Sequence, residues 1–220
     1  MARPPRAAAA AEVTLPYEHE LVPQEKRELL RIARTTLREW LSTGSIPPGV
    51  PHRATLVAPA GAFVSLHKGS ELRGCIGTFA ETTPLYRAVQ EMAVSAASRD
   101  PRFEPLAAEE LTEIDIEISV LSGLVHLDRP PEGIEIGRHG LHITRGFLRG
   151  VLLPQVAISS SWTAEEFLCQ TCRKAGLEPR AWAEPEVLVE IFSAQVFAEH
   201  EFAEGAPDGP AGGSQTPALE

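Results

Sequence analysis

The segment ELRGCIGTF, residues 71–79, holds the side chains with the clearest potential for chemistry. If this segment is a strand, Arg73 and Cys75 project from one face about 7 Å apart. A guanidinium at that separation favours a thiolate, the nucleophilic form of cysteine. We therefore predict Cys75 as a catalytic nucleophile and Arg73 as its activating cation, with Gly74 and Gly77 leaving space for a ligand. The alternative is that Cys75 is a small buried residue and that the glycines serve tight packing.

The sequence does not select the general base that a catalytic cysteine needs. His67 is nearest along the chain, but a hairpin between residues 63–66 and 72–79 places it opposite Leu72, about 10 Å from Cys75. The remaining candidates are His52, His126, His139 and His142. Each of these four also fits a surface or turn position.

Two further segments place polar side chains in apolar surroundings. In SRDPRF, Pro101 keeps Asp100 out of helical geometry and leaves it free to pair with Arg102 or Arg99. In GVLLPQVA, Gln155 follows a proline within an apolar run. Because partly buried polar groups need hydrogen-bond partners, which a ligand can supply, we predict Asp100, Arg102 and Gln155 as ligand-binding residues. The alternative for SRDPRF is a rigid turn that ends a helix.

Cys169 and Cys172 form a C-x-x-C pair, a spacing used in zinc and redox sites. No second pair completes a four-ligand set, and helical spacing places Cys172 on a core-facing side with Phe167, Leu168 and Leu177. We therefore predict no metal site.

Hydrophobic periodicity indicates the elements of the first half of the chain. Apolar residues at helical spacing predict an amphipathic helix over residues 23–41 and a second helix over LYRAVQEMAVSAAS. GAFVSLHKGSELRGCIGTF predicts two strands joined by a turn at HKGS. Strict alternation in LTEIDIEISVL predicts a half-buried strand.

The second half of the chain contains shorter elements. GIEIG, GLHIT and GFLRGVLLP predict short strands, and EVLVEIFSAQVFAE is β-like at least in its first half. Thr163 and Glu166 form a capping-box pattern that starts a helix ending before Gly176. Helices mixed with antiparallel strands, without regular βαβ alternation, predict an α+β fold.

Composition limits the classes of function. The 220 residues carry a net charge of −10, which argues against a broad nucleic-acid surface. No apolar run approaches the roughly 20 residues of a membrane span, and no secretory signal is present, so we expect a cytoplasmic protein. Residues 1–14 and 203–220 are rich in Ala, Pro and Gly and predict disordered tails around one domain at 15–202.

Seven segments, in this order and at these spacings, resemble the AMMECR1 domain family over about residues 21–199. They are GAFVSL, LRGCIGTF, DPRFEPL, IDIEISVL, GRHGLHI, GVLLPQVA and EEFLCQTCRKAGL. The resemblance implies an α+β architecture with a larger lobe that contains an antiparallel sheet and helices, a smaller lobe, and a cleft between them. It also implies that LRGCIG, residues 72–77, is the functional centre.

The resemblance implies partners but no established reaction or cofactor. Family members are linked to a Memo-like protein and a radical SAM protein, so a shared pathway is expected. One hypothesis is a Cys75-centred enzyme or acceptor subunit that acts on or carries a small ligand. The other is a non-catalytic module that binds a ligand or protein through the LRGCIG cleft.

Overall fold

The structure is a computed structural model that describes residues 20–49 and 51–202. In chain order its helices and strands are α1 (Pro23–Thr43), β1 (Ala62–Lys68), β2 (Glu71–Thr78), α2 (Leu85–Ser98), β3 (Ile114–Leu121), β4 (Val125–His126), β5 (Gly140–Arg145), β6 (Leu148–Leu152), α3 (Pro154–Ser159), α4 (Ala164–Lys174), β7 (Leu188–Phe192) and β8 (Ala194–Ala198). The chain divides into two compact units. We call Leu124–Phe192 the inserted unit and the described residues on either side of it the main unit.

The main unit is built on a four-stranded antiparallel sheet in the order β2-β1-β3-β8. Residues of alternating type send Val64, Leu66, Ile116 and Ile118 to one face, where all four are buried. α1 and α2 pack together, and α2 also packs against β1 and β2. The core of this unit therefore lies between the two helices and one face of the sheet.

The helices of the main unit begin and end as their sequences indicate. α1 has Pro23 in its first turn, and Gly44 ends the helix in a left-handed conformation, with its N–H bonded to the carbonyl of Trp40. α2 covers the predicted residues and ends at Ser98, just before Asp100. The hairpin of β1 and β2 turns at Gly69 and Ser70, as HKGS predicted.

The inserted unit has its own antiparallel sheet, in the order β4-β7-β5-β6, and its own core. α4 starts at the predicted capping box, in which the Thr163 hydroxyl accepts from the Glu166 N–H and the Glu166 carboxylate accepts from Thr163. Cys172 is buried in the core of this unit with Phe167, Leu168 and Leu177, which confirms the predicted core-facing positions.

The mixture of helices and antiparallel sheets confirms the α+β prediction, and three details differ from it. GIEIG forms turns, because its glycines interrupt any run that could pair with a neighbouring strand. Residues 154–159 form a short helix, which Pro154 begins. EVLVEIFSAQVFAE contains two strands, β7 and β8, that belong to different sheets. The predicted disordered tails lie outside the described residues.

Candidate functional site

Cys75 lies in β2, the edge strand of the main sheet, and a side chain fixes its backbone. Its N–H donates to Oδ2 of Asp100 at 2.8 Å. In sequence the two residues are 25 positions apart, and the end of α2 brings them together. The predicted site residues Cys75 and Asp100 are therefore direct neighbours.

Asp100 is a buried carboxylate, 4% exposed, that also holds Arg102. Its Oδ1 accepts from the Arg102 backbone N–H at 3.1 Å and from Nε at 3.0 Å, while Oδ2 accepts from Nη2 at 2.7 Å. The turn at Pro101 makes this pairing local, as the sequence predicted. The bonds from Arg102 hold the pKa of Asp100 below its usual value, although burial opposes the shift. Asp100 is therefore a charged residue that connects the backbone of β2 to the turn at Pro101.

The thiol of Cys75 is half-buried and receives a hydrogen bond from the hydroxyl of Ser65 at 3.2 Å. Burial raises the pKa of Cys75 above its ordinary value. The Ser65 hydrogen bond and the charge of Arg102 act in the opposite direction, and the charges of Asp100 and Glu117 add to the rise. The thiol is thus protonated at neutral pH, which corrects the prediction of a thiolate favoured by its neighbours.

The cation that acts on Cys75 is Arg102, not Arg73. Leu66 pairs with Gly74 and His67 pairs with Leu72, so Arg73 is the extra residue of a β-bulge. The bulge breaks the alternation on which its predicted proximity to Cys75 depended.

The guanidinium of Arg73 is bonded elsewhere. It donates to both carboxylate oxygens of Glu110, at 3.0 and 2.9 Å, and to the carbonyl of Glu104 at 2.8 Å. Arg73 lowers the pKa of Glu110 to about 2. Its visible role is to hold the segment of residues 104–110 against β2.

Other residues of the chain fill the space beside the two glycines of the motif. A Cβ atom on Gly74 would lie 2.2 Å from the carbonyl oxygen of Ala96 in α2. A Cβ atom on Gly77 would lie 2.1 to 2.4 Å from ring atoms of Phe63, its partner across the hairpin. The predicted space for a ligand is therefore occupied by the helix and by an aromatic ring, which is the packing alternative.

The sheet face that carries Cys75 contains two polar residues that sequence reasoning missed. Ser65 lies opposite Cys75 in the pairing of β1 with β2, and Glu117 lies opposite Ser65 in the pairing of β1 with β3. Glu117 is half-buried, and burial raises its pKa. The hairpin turn at HKGS indicates which residues of β1 lie opposite Cys75, and Ser65 is one of them. The pairing of β1 with β3 joins residues about 50 positions apart, so no local pattern indicates that Glu117 is close.

The remaining candidates are dispersed. His67 pairs with Leu72 as expected. Gln155 lies in the first turn of α3, in the inserted unit, so its role in binding the same ligand as Cys75 stays a prediction. Across residues 20–49 and 51–202, no group of three or more His, Cys, Asp and Glu side chains is arranged to hold a metal ion.

The sequence and the fold define the family. The AMMECR1 family model matches residues 30–197, and the chain therefore belongs to the AMMECR1 family. A protein of Methanothermobacter thermautotrophicus is 44% identical over 183 residues, covering 80% of this chain and 94% of the relative. Protein MK0488 of Methanopyrus kandleri is 42% identical, covering 87% of this chain and 94% of the relative.

A solved structure has the same fold. The crystal structure of the uncharacterized protein PH0010 from Pyrococcus horikoshii matches with a TM-score of 0.72 and 38% sequence identity. The match covers 83% of this chain and 92% of that chain. As to membranes, none of the helices within the described ranges combines the length and apolar character that crossing a bilayer requires.

Proposed function

We propose that this chain is an enzyme or acceptor subunit in which the Cys75 thiol takes up a small group from an anionic ligand bound by Arg102. The observation that carries the proposal is the set of hydrogen bonds that Asp100 accepts. One buried carboxylate fixes both the backbone of Cys75 and the guanidinium of Arg102. The backbone that carries the thiol and a cation are thereby held beside each other by one buried group.

Arg102 is suited to bind an anion because it keeps donors available. Its Nε and Nη2 bond to Asp100, whereas Nη1 makes no hydrogen bond within the part of the chain that the structure describes. Its side chain is 39% exposed, and the guanidinium carbon lies 5.4 Å from the centre of the Phe103 ring. A planar guanidinium held on one edge presents its other edge to a carboxylate or phosphate.

The transfer begins from a neutral thiol. The S–H bond breaks and its proton goes to a base, the sulfur forms a bond to the electrophilic atom of the small group, and the leaving group departs with the bonding electrons. Because burial raises the pKa of Cys75, this reaction depends on a proton acceptor. The chain's own contribution is to position the thiol and the anion.

The partners follow from the family resemblance. We propose that the small group is generated in a cytoplasmic pathway with a Memo-like protein and a radical SAM protein. The net charge of −10 argues against a nucleic-acid substrate.

The test uses the full chain mixed with those two partner proteins. We expect an added mass on Cys75 of the wild-type chain, located by peptide mapping, and its loss in Cys75→Ser. Cys169→Ser is the matched control, because Cys169 is also half-buried but lies in α4, and it should keep the adduct. An adduct that persists in Cys75→Ser contradicts the proposal.

A binding module without chemistry is the second candidate, and the protonated state of the Cys75 thiol favours it. In that case Cys75→Ser binds its partner with unchanged affinity and the mixture remains fully active. Large substitutions at Gly74 or Gly77 do not separate the two candidates, because both residues are needed for packing. Arg102→Gln serves instead, with partner affinity measured by calorimetry.

A further inference from the structure

A row of three side chains crosses the main sheet at Cys75. Cys75, Ser65 and Glu117 are successive direct partners on β2, β1 and β3. Directly opposed residues project from the same face with Cβ atoms about 4.5 to 5.5 Å apart. The Ser65 hydroxyl lies 3.2 Å from the sulfur, and Ser65 is only 9% exposed. The charge of Glu117 adds to the raised pKa of Cys75, so its carboxyl lies within electrostatic range of the sulfur.

Glu117 is half-buried, and a carboxyl that loses part of its hydration normally has a partner. No donor among residues 20–49 and 51–202 forms a hydrogen bond or ion pair with it. Burial raises its pKa, the nearby charges of Asp115 and Glu201 add to the rise, and His200 opposes it. His200 is itself paired with Asp115 at 2.7 Å. An unpaired, partly desolvated carboxyl beside a candidate nucleophile is typical of functional sites.

We propose that Glu117 is the proton acceptor for Cys75 and that the Ser65 hydroxyl passes the proton between them. This inference rests on the proposed function of Cys75 and supplies the base that a protonated thiol needs. In the structure the Ser65 hydroxyl donates to the sulfur, and the relay requires it to rotate so that it accepts from the thiol and donates to Glu117. Glu117 is thus the terminal base of the relay, and Ser65 is the bridge.

The step conserves protons and electrons. The thiol proton moves to Ser65 Oγ as the hydroxyl proton moves to a carboxylate oxygen of Glu117. As the S–H bond breaks, the sulfur forms its bond to the electrophile with an electron pair of its own, and the leaving group takes the pair of the bond that breaks. Glu117 then returns its proton to solvent.

The experiment measures the rate of Cys75 alkylation by iodoacetamide between about pH 5.5 and 9.5, with peptide mapping to assign the site. If the relay removes the proton as the sulfur–carbon bond forms, the rate keeps a low-pH plateau, because it then depends on the ionised carboxyl of Glu117 and not on the thiolate fraction set by the pH. Glu117→Gln should lose roughly tenfold in rate near pH 6. Above about pH 8.5 the same variant should react faster than wild type, because the charge that opposes the thiolate is gone.

The crossing of the wild-type and Glu117→Gln profiles distinguishes a Glu117 that acts as a base from a Glu117 that acts only through its charge. If Glu117 acts only through its charge, Glu117→Gln reacts at least as fast as wild type at every pH, and the proposal is wrong. Ser65→Ala keeps the charge and removes the bridge, so it should lose the plateau as well. Glu113→Gln is the matched control, since Glu113 precedes β3 and pairs with Lys68, and its profile should equal that of wild type.

The outcomes also separate this inference from the proposed function. If native Cys75 is not alkylated at any pH until the chain unfolds, the proposed function fails along with the relay. If Cys75 is alkylated and the two profiles do not cross, only the relay fails.

Discussion

Two arginines flank the signature segment, and their guanidiniums have different tasks. Arg73 is bound on two sides by Glu110 and by the carbonyl of Glu104. Arg102 is bound on one edge by Asp100 and its charge lowers the pKa of Cys75, although burial outweighs that effect. The sequence predicted the types of residue in the site, but the bulge at Arg73 changed which cation serves the thiol.

The two arginines can be distinguished by the pH profile of Cys75 alkylation. Arg102→Gln should move the profile to higher pH, because the cation that favours the thiolate is lost. Arg73→Gln should lower stability and leave the midpoint of the profile where it is. A shift caused by Arg73→Gln alone would restore Arg73 as the activating cation.

Asp100 should be the most sensitive side chain of the site. Asp100→Ala leaves the Cys75 N–H and one edge of Arg102 without partners, which we expect to cost about 2 to 3 kcal/mol of unfolding free energy. Asp100→Asn retains a carbonyl oxygen as acceptor and should lose less. Urea denaturation of both variants measures the difference, and equal losses would mean that the hydrogen bonds contribute nothing.

At the scale of the elements, the sequence predicted those helices and strands that short-range interactions determine. The capping box at Thr163 and the alternation of Ile114 to Val120 each depend on residues within a few positions, and both elements are present. The pairing of β1 with β3 depends on packing against α1 and α2, and no short pattern encodes it. Ser65 and Glu117 became neighbours only through that pairing.

The contact between β2 and α2 predicts a graded response at the two glycines. Gly74→Ala places a methyl group against the backbone of α2, which cannot rotate away, and should cost about 2 to 3 kcal/mol. Gly77→Ala meets the Phe63 ring, which can move, and should cost about 1 to 2 kcal/mol.

A double-mutant cycle checks the cause at Gly77. In a Phe63→Ala background, Gly77→Ala should lose most of its cost, as measured by thermal or urea unfolding. An unchanged cost would place the strain in the backbone of β2 instead of in the ring contact.

At the scale of the whole molecule, the carboxyls divide into two groups with opposite effects on acid stability. The pKa values of Asp100 and Glu110 are lowered, so their contribution is present above the ordinary carboxyl range and is lost as the pH falls towards 2. The pKa of Glu117 is raised, so the fold binds its proton more tightly than the unfolded chain does. Loss of that proton with rising pH therefore weakens the fold.

Glu117→Gln tests this sign. Relative to wild type, its unfolding free energy should rise as the pH increases from about 4 to 8, because wild type alone must ionise a desolvated group. Denaturation at several pH values measures the difference, and Glu113→Gln should show no such trend. A difference that is constant with pH would mean that Glu117 is well solvated in the folded chain.

Fold class was predictable for the whole molecule because it depends on the order and type of elements, and the site was predictable only in part. Cys75, Asp100 and Arg102 lie together because SRDPRF directly follows α2, which packs on β2. The division into two units with separate sheets was not evident from EVLVEIFSAQVFAE, in which a single residue separates strands of different sheets.

The hydrogen bond from Cys75 to Asp100 has a consequence for association between molecules. β2 is an edge strand, and its outward N–H groups are the points at which a foreign strand could add. A buried carboxylate already occupies one of these donors, and a second chain cannot compete for it without displacing an ion pair. The variant Asp100→Ala should therefore be more prone than wild type to self-assembly along the β2 edge of its sheet.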